Sequence, residues 1–249
     1  MKLSDNIENL LDKFAEISEY IWQKSWAEKN AGNISVNITE NVSFNLPESN
    51  LISTNNLNKI YSSLSNNTFL ITAANTRMRD IAKSPKDNIC LLQIDQSGKS
   101  FKCYSLSDKK NKLSPTSELP THLSIHQMLI KTNSKEKVVV HTHLTEVIAL
   151  TQSDKYCDEK RLNKLFLNIN PEISSFIKKG IGFVPYLRPG SDELAEKTVE
   201  QLYYHDIIIW GKHGCISIGQ NLDDAFDLID VTAKLAKIYF MCSSAGLIS

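Results

Sequence analysis

Ile7, Leu10, Leu11, Phe14, Ile17, Ile21 and Trp22 recur at three- and four-residue spacing, which predicts one apolar face of a helix running from Asp5 to about Glu28. Asp5, with Glu8 three residues on, has the form of a capped start. The periodicity stops at Asn30-Ala31-Gly32-Asn33, and Ile34, Val36 and Ile38 then alternate with polar residues as in a strand. The asparagines therefore fall on a turn, where their amides can face a ligand. From Asn41 to Asn67 no period is visible, and the segment reads as an irregular connection around one short helix. Phe69 to Thr72 is a short buried strand, and the runs Ile89–Asp95 and Ser100–Tyr104 flank Gln96-Ser97-Gly98-Lys99 as a hairpin.

Ser117 to Thr132 reads as a helix with Pro120 in its first turn, where a missing N–H costs little. Val138-Val139-Val140 predicts a strand that carries His141 and His143, followed by helical pieces from Leu144 to about Lys178 and a short strand over Phe183–Tyr186. A helix opens at Ser191, two strands surround His213, and a last helix covers Leu222 to about Cys242. Strands in hairpins with helices between and outside them predict an α/β sandwich with a mixed or antiparallel sheet, not a regular βαβ repeat.

Composition narrows this further. With 249 residues and 41% hydrophobic content the chain can bury a full core, so a single domain over residues 1–249 is expected. Lysine plus arginine and aspartate plus glutamate are 28 each, leaving no basic field for nucleic acid. The five cysteines, Cys90, Cys103, Cys157, Cys215 and Cys242, are scattered and contain no Cys-x-x-Cys pair, which argues against a disulfide framework and fits a reducing cytoplasm. The first residues mix charge with apolar side chains, unlike a signal peptide, and no run of about eighteen apolar residues suggests a membrane span. Neither Gly-x-Gly-x-x-Gly nor a P-loop sequence is present.

The candidate chemistry lies in histidines. Strand side chains alternate faces, so His141 and His143 point the same way, and His213 sits in a Gly-flanked turn after the apolar run Ile207–Trp210. Three imidazoles on one metal leave a fourth position open, as catalytic zinc requires. A His-x-His pair alone is as easily a pair of neutral core or surface histidines. His122 and His126 share a helix face and read as core or hydrogen-bonding residues, and His205 as a surface position before a strand.

Four segments, Asn30-Ala-Gly32-Asn33, Ser114-Pro-Thr116-Ser117-Glu118-Leu-Pro, His141-Thr-His143 and Gly211-Lys-His213-Gly214, taken in this order, resemble the class II aldolase/adducin family. The resemblance implies a three-layer α/β/α sandwich, a homotetramer with sites at subunit contacts, and one Zn2+ per subunit held by His141, His143 and His213. It further implies reversible cleavage of a small-molecule sugar phosphate, L-rhamnulose 1-phosphate, to dihydroxyacetone phosphate and L-lactaldehyde. Zinc would steady the enediolate and Glu118 would be the catalytic base at C3. Asn30, Gly32, Asn33, Thr116 and Ser117 would hold the phosphate, although each also suits a turn or a cap. Glu172 corresponds to a second carboxylate near the site, supplied within the subunit or across a contact. L-Fuculose 1-phosphate cleavage, epimerisation of a pentulose 5-phosphate, and a non-enzymatic adducin-like module are the alternatives. The chain departs from the pattern at Ala73-Ala74, where the family places glycine and serine, at Ala31, where glycine is usual, and in ending at Ser249, ahead of a C-terminal extension.

Overall fold

A computed structural model describes residues 4–41, 48–107 and 113–248. Helix α1 (Asp5–Gln23) leads into β1 (Asn33–Asn37), β2 (Leu51–Asn56) and β3 (Thr68–Thr72). Two short helices, α2 (Met78–Lys83) and α3 (Pro85–Asn88), precede the hairpin β4 (Ile89–Ile94) and β5 (Ser100–Ser105). Helix α4 (Leu119–Lys131), β6 (Val138–Thr142), α5 (Thr145–Leu150), α6 (Glu159–Ile169) and α7 (Ile173–Phe176) follow. The chain continues with β7 (Gly182–Val184), α8 (Asp192–Leu202), β8 (Ile207–Trp210), β9 (Gly214–Gly219) and α9 (Leu222–Ser244).

The nine strands of the described residues form one sheet in the order β2-β5-β4-β3-β1-β6-β9-β8-β7, in which β7 and β8 pair parallel and the other neighbours antiparallel. Alternation along the strands divides the core into two layers. Ile34, Val36, Val138 and Val140 face α1, α6 and α9, while Val139, Ile208 and Ile216 pack with Ile125 and Met128 of α4 and Leu194 of α8. Helices thus cover both faces of a mixed sheet, the α/β/α sandwich expected from the pattern.

Several local expectations are corrected. Helix α1 stops at Gln23, because Ser25 adopts φ 60° and turns the chain back. Within α1 the buried face is Ile7, Leu11, Phe14, Ile17 and Ile21, which leaves Trp22 41% exposed and Leu10 only partly buried, and after the turn Trp26, at 2% exposure, enters the core. The residue before α1 is Ser4, and no side chain caps that end. The stretch read as irregular contains β2, whose outer half is exposed and polar; residues 42–47 of that stretch, like residues 1–3, lie outside the described residues. His205 is buried at 9% exposure, with its Nδ1 2.8 Å from the Lys179 carbonyl, rather than on the surface. No helix of the described residues is long and apolar enough to cross a membrane.

Candidate active site

Three neighbouring strands carry the site. β1 and β6 pair antiparallel with Asn33 opposite His141, and β6 pairs with β9 so that Thr142 lies opposite Cys215. His141 and Asn33 therefore end up side by side at one end of the sheet, on the face covered by α4. His143 follows directly after β6, and its N–H donates to the Trp26 carbonyl at 2.9 Å, which ties it to the loop leaving α1. His213 belongs to the tight connection between β8 and β9, closed by its N–H on the Trp210 carbonyl at 3.0 Å with Lys212 at φ 60°. That connection requires glycine next: a Cβ on Gly214 would lie 2.3 Å from the Thr142 carbonyl oxygen. Gly32 has the same role on the other side, at φ 79°, where a Cβ would meet the Met78 Cε at 2.9 Å and the His141 carbonyl at 3.2 Å.

The three imidazoles converge. Ring centroids of His141 are 5.3 Å from His143 and 4.9 Å from His213, and those of His143 and His213 are 5.0 Å apart. One nitrogen from each lies within 4.8 Å of the others, so the trio can hold a metal ion. The surroundings choose which nitrogen is free. His141 Nδ1 is 2.8 Å from the Cys215 carbonyl, an obligate acceptor, so Nδ1 carries the proton and Nε2 keeps its lone pair. His143 Nδ1 stands 2.7 Å from Glu28 Oε1, a carboxylate–histidine pair of the kind that orients metal ligands. His141 Nε2 and His213 Nδ1 are buried and have no hydrogen-bond partner. Buried imidazole nitrogens without a partner are costly unless an ion or ligand engages them. Burial, and then the neighbouring histidines, push the His141 and His213 pKa values down to about 3, which keeps both rings neutral and available as donors. Trp210 braces the trio, stacked on His213 at 5.1 Å and tilted against His141 at 4.6 Å.

Glu118 is the residue immediately before α4, 6% exposed, and its carboxylate reaches between two of the histidines. Oε2 is 3.6 Å from His141 Nε2 and Oε1 is 3.9 Å from His213 Nε2, while Asn33 Nδ2 donates to Oε2 at 3.0 Å. The segment before it is clamped to the end of β3: Ala73 bridges Pro115, and the Thr116 N–H donates to the Thr72 carbonyl at 3.1 Å.

These groups line a cavity of about 790 Å3 that also contains Asn30, Gly32, Asn33, Thr116 and Ser117. Nine of the ten residues singled out in the sequence are thus brought together. Glu172 is not on this wall; it is exposed and precedes α7. Asn33 faces the cavity, but both ends of its amide are engaged by protein, Nδ2 with Glu118 and Oδ1 with His122, so it serves the carboxylate before any phosphate. Residues the sequence did not single out for the site are Glu28, Lys29 and Tyr186 on the cavity wall, which also includes Ala73 and Ala74, the departure noted from the family pattern. Lys212, also on the wall, was quoted only as part of the histidine motif, which is the one signal that could have found it.

This end-of-sheet histidine trio beside a carboxylate is accompanied by a match of residues 12–240 to the Class II Aldolase and Adducin N-terminal domain family, and the chain belongs to that family. It is 38% identical over 237 residues to a rhamnulose-1-phosphate aldolase of Bacteroides thetaiotaomicron, covering 95% of this chain and 87% of the relative. A rhamnulose-1-phosphate aldolase of Listeria welshimeri is 30% identical over 92% of this chain and 82% of its own length. Among solved structures, a sugar-phosphate aldolase from Thermotoga maritima superposes with a TM-score of 0.82 at 31% identity, covering 98% of this chain and 99% of the other. The chain is accordingly a class II aldolase, and enzymes of that class are metal-dependent.

Proposed function

We propose that the chain cleaves L-rhamnulose 1-phosphate reversibly to dihydroxyacetone phosphate and L-lactaldehyde, a step of L-rhamnose breakdown. The observation that carries the reading is the Glu118 carboxylate, set 3.6 Å and 3.9 Å from two histidine nitrogens on the wall of a cavity that also carries the Asn30 amide, the Thr116 and Ser117 hydroxyls and two lysines. The likeness to two rhamnulose-1-phosphate aldolases supports the choice of sugar.

His141, His143 and His213 are the ligands, and three imidazole nitrogens with a cavity on the open side suit zinc with room for substrate. A zinc ion bound there supplies Lewis-acid stabilisation of the negative charge that develops on the substrate as the C3–C4 bond breaks. Glu118 handles the proton at C3. In condensation its carboxylate takes a proton from C3 of dihydroxyacetone phosphate, and in cleavage the proton that the C4 hydroxyl gives up as the aldehyde forms balances the one the Glu118 carboxyl delivers to C3, where the pair of the broken bond has been left. Asn33 holds one oxygen of the carboxylate, so the other, Oε1, is the one free to meet the substrate. The phosphate is received by the Asn30 side chain, the turn at Gly32 and the hydroxyls of Thr116 and Ser117, with Lys29 and Lys212 providing positive charge at the rim. The Thr116 hydroxyl accepts from the Glu118 N–H at 3.3 Å, which leaves its own hydrogen for the ligand. A homotetramer with Glu172 reaching a neighbouring subunit's cavity completes the proposal, and suits the exposed position of that residue.

The test is release of dihydroxyacetone phosphate from L-rhamnulose 1-phosphate against L-fuculose 1-phosphate, followed with a coupled dehydrogenase, with C4 epimerisation of a pentulose 5-phosphate followed separately by NMR. Faster turnover of the rhamnulose ester supports the proposal; a preference for either other sugar refutes it.

A further inference from the structure

Behind Glu118 lies a buried string of polar side chains that metal binding does not use. Asn33 and Ser35 alternate on β1 and face α4, on which His122 and His126 are one turn apart. Residues two apart on a strand are about 6.8 Å apart and residues four apart on a helix rise about 6 Å, so the two pairs mesh in register. The contacts follow: His126 Nε2 is 2.8 Å from Ser35 Oγ, Ser35 Oγ is 2.7 Å from His122 Nδ1, and His122 Nε2 is 2.5 Å from Asn33 Oδ1. Asn33 Nδ2 then reaches Glu118 Oε2 at 3.0 Å. Ser35, His122 and His126 are all at or below 1% exposure, and none touches the cavity of the histidine trio.

The chemistry of the end member sets the direction of every bond. An ionised carboxylate only accepts, so the Asn33 amide must turn its NH2 to Glu118 and its oxygen to His122. His122 must then carry its proton on Nε2, its Nδ1 accepts the Ser35 hydroxyl hydrogen, and Ser35 in turn accepts from His126 Nε2–H. All donors point toward Glu118. Burial holds His126 down to about 3 and His122 well below its ordinary value, so both rings stay neutral, as one proton per ring requires. A flipped Asn33 amide has the same shape but would set its oxygen against the carboxylate and its NH2 against the His122 Nε2–H, so the carboxylate at one end and the His122 proton at the other together hold the single orientation.

We infer that His122, Ser35 and His126 are positioning residues that act through Asn33 to fix the orientation of the Glu118 carboxylate. The inference rests on Glu118 being the group that moves the C3 proton. Loss of the Ser35 hydroxyl frees the His122 tautomer and with it the Asn33 amide, and a misplaced catalytic group costs up to about a hundredfold in rate.

The experiment compares zinc-loaded wild type, Ser35→Ala and Ser35→Thr for kcat and KM on L-rhamnulose 1-phosphate, bound zinc per chain, and exchange of the C3 hydrogen of dihydroxyacetone phosphate with solvent. Ser35→Ala is expected to lose about ten- to a hundredfold in kcat and in exchange, with KM and zinc content within about twofold of wild type, and Ser35→Thr to regain most of the loss. Unchanged kcat per bound zinc in Ser35→Ala overturns the inference, as does an equal loss in both variants, which would mark the site as packing alone. Long-range nitrogen–proton NMR spectra of the wild-type chain judge the string without any variant or turnover. Nε2–H tautomers at both His122 and His126 support it, and an Nδ1–H tautomer at either overturns it. A wild type that cleaves no ketose 1-phosphate would instead sink the proposed function, and the tautomer spectrum would still decide the string.

Discussion

Gly214→Ala is the substitution whose consequence can be worked most fully from the structure. The new Cβ would fall 2.3 Å from the Thr142 carbonyl oxygen and 3.1 Å from the His143 Cα, both backbone atoms that cannot swing aside. Relief to an ordinary contact needs β6 and the start of β9 to separate by roughly 1 Å, and overpacking of this kind costs about 1–3 kcal/mol. For a chain of this size that is a fall in Tm of about 2–12 °C. The displaced segment begins one residue after His213 and presses on the residue between His141 and His143, so the trio itself opens. Metal sites tolerate about 0.2 Å, and smaller disturbances of ligand support already cost about 10–100-fold in affinity. The expected result is therefore at least about a tenfold weaker zinc affinity, measured by competition with a chromophoric chelator, together with the lowered Tm. Gly246→Ala is the control: no atom lies within 4 Å of its Cβ, and although its φ of 69° strains the variant, zinc affinity is expected to stay unchanged. Wild-type zinc affinity in Gly214→Ala would refute the claim that this close contact sets the position of His213.

Glu118→Gln is expected to retain its zinc yet lose about 10²–10⁴-fold in turnover, read by metal analysis and the coupled assay on the same sample. Glu28→Ala removes the carboxylate 2.7 Å from His143 Nδ1 and is expected to weaken zinc binding about tenfold with little change in Tm, as the Glu28 side chain is 71% exposed. The metal-free chain should lose stability on acidification. His126 titrates at about 3 when folded against 6.5 ordinarily, so the unfolded chain binds more protons between those values; the contribution, complete above 6.5, falls by about 1.4 kcal/mol per pH unit as pH drops toward 3. Urea unfolding at pH 7 and pH 5 checks this, and equal stability at the two would contradict it.

The histidine trio was legible because two strong local rules apply to it. Alternation on a β-branched strand puts His141 and His143 on one side, and a Gly-flanked turn after Ile207–Trp210 marks the place of His213. The helices α8 and α9 were equally readable, since Ser191 and Asn221 are side-chain caps, accepting from Leu194 and Asp224 N–H groups. What was missed follows from weaker signals. Among the described residues β2 pairs with β5 alone, at the margin of the sheet, and is polar where it is exposed, so it shows no hydrophobic period. Trp22 fits a helical period as well as Trp26 fits the core, and only the reversal at Ser25 decides between them. Glu28 read as the end of a helix, although the chain has already turned there to bring its carboxylate to His143. The link from Asn33 to His126 joins residues 93 positions apart across a sheet–helix interface, which no local pattern records.

The most direct measurement is a zinc titration of chelator-stripped protein with metal content and dihydroxyacetone phosphate release followed together. Turnover should rise in proportion to bound zinc and level off at one ion per chain, and His213→Ala should show neither tight binding nor turnover. Full cleavage of L-rhamnulose 1-phosphate by the stripped chain, or undiminished binding and turnover in His213→Ala, would contradict the account.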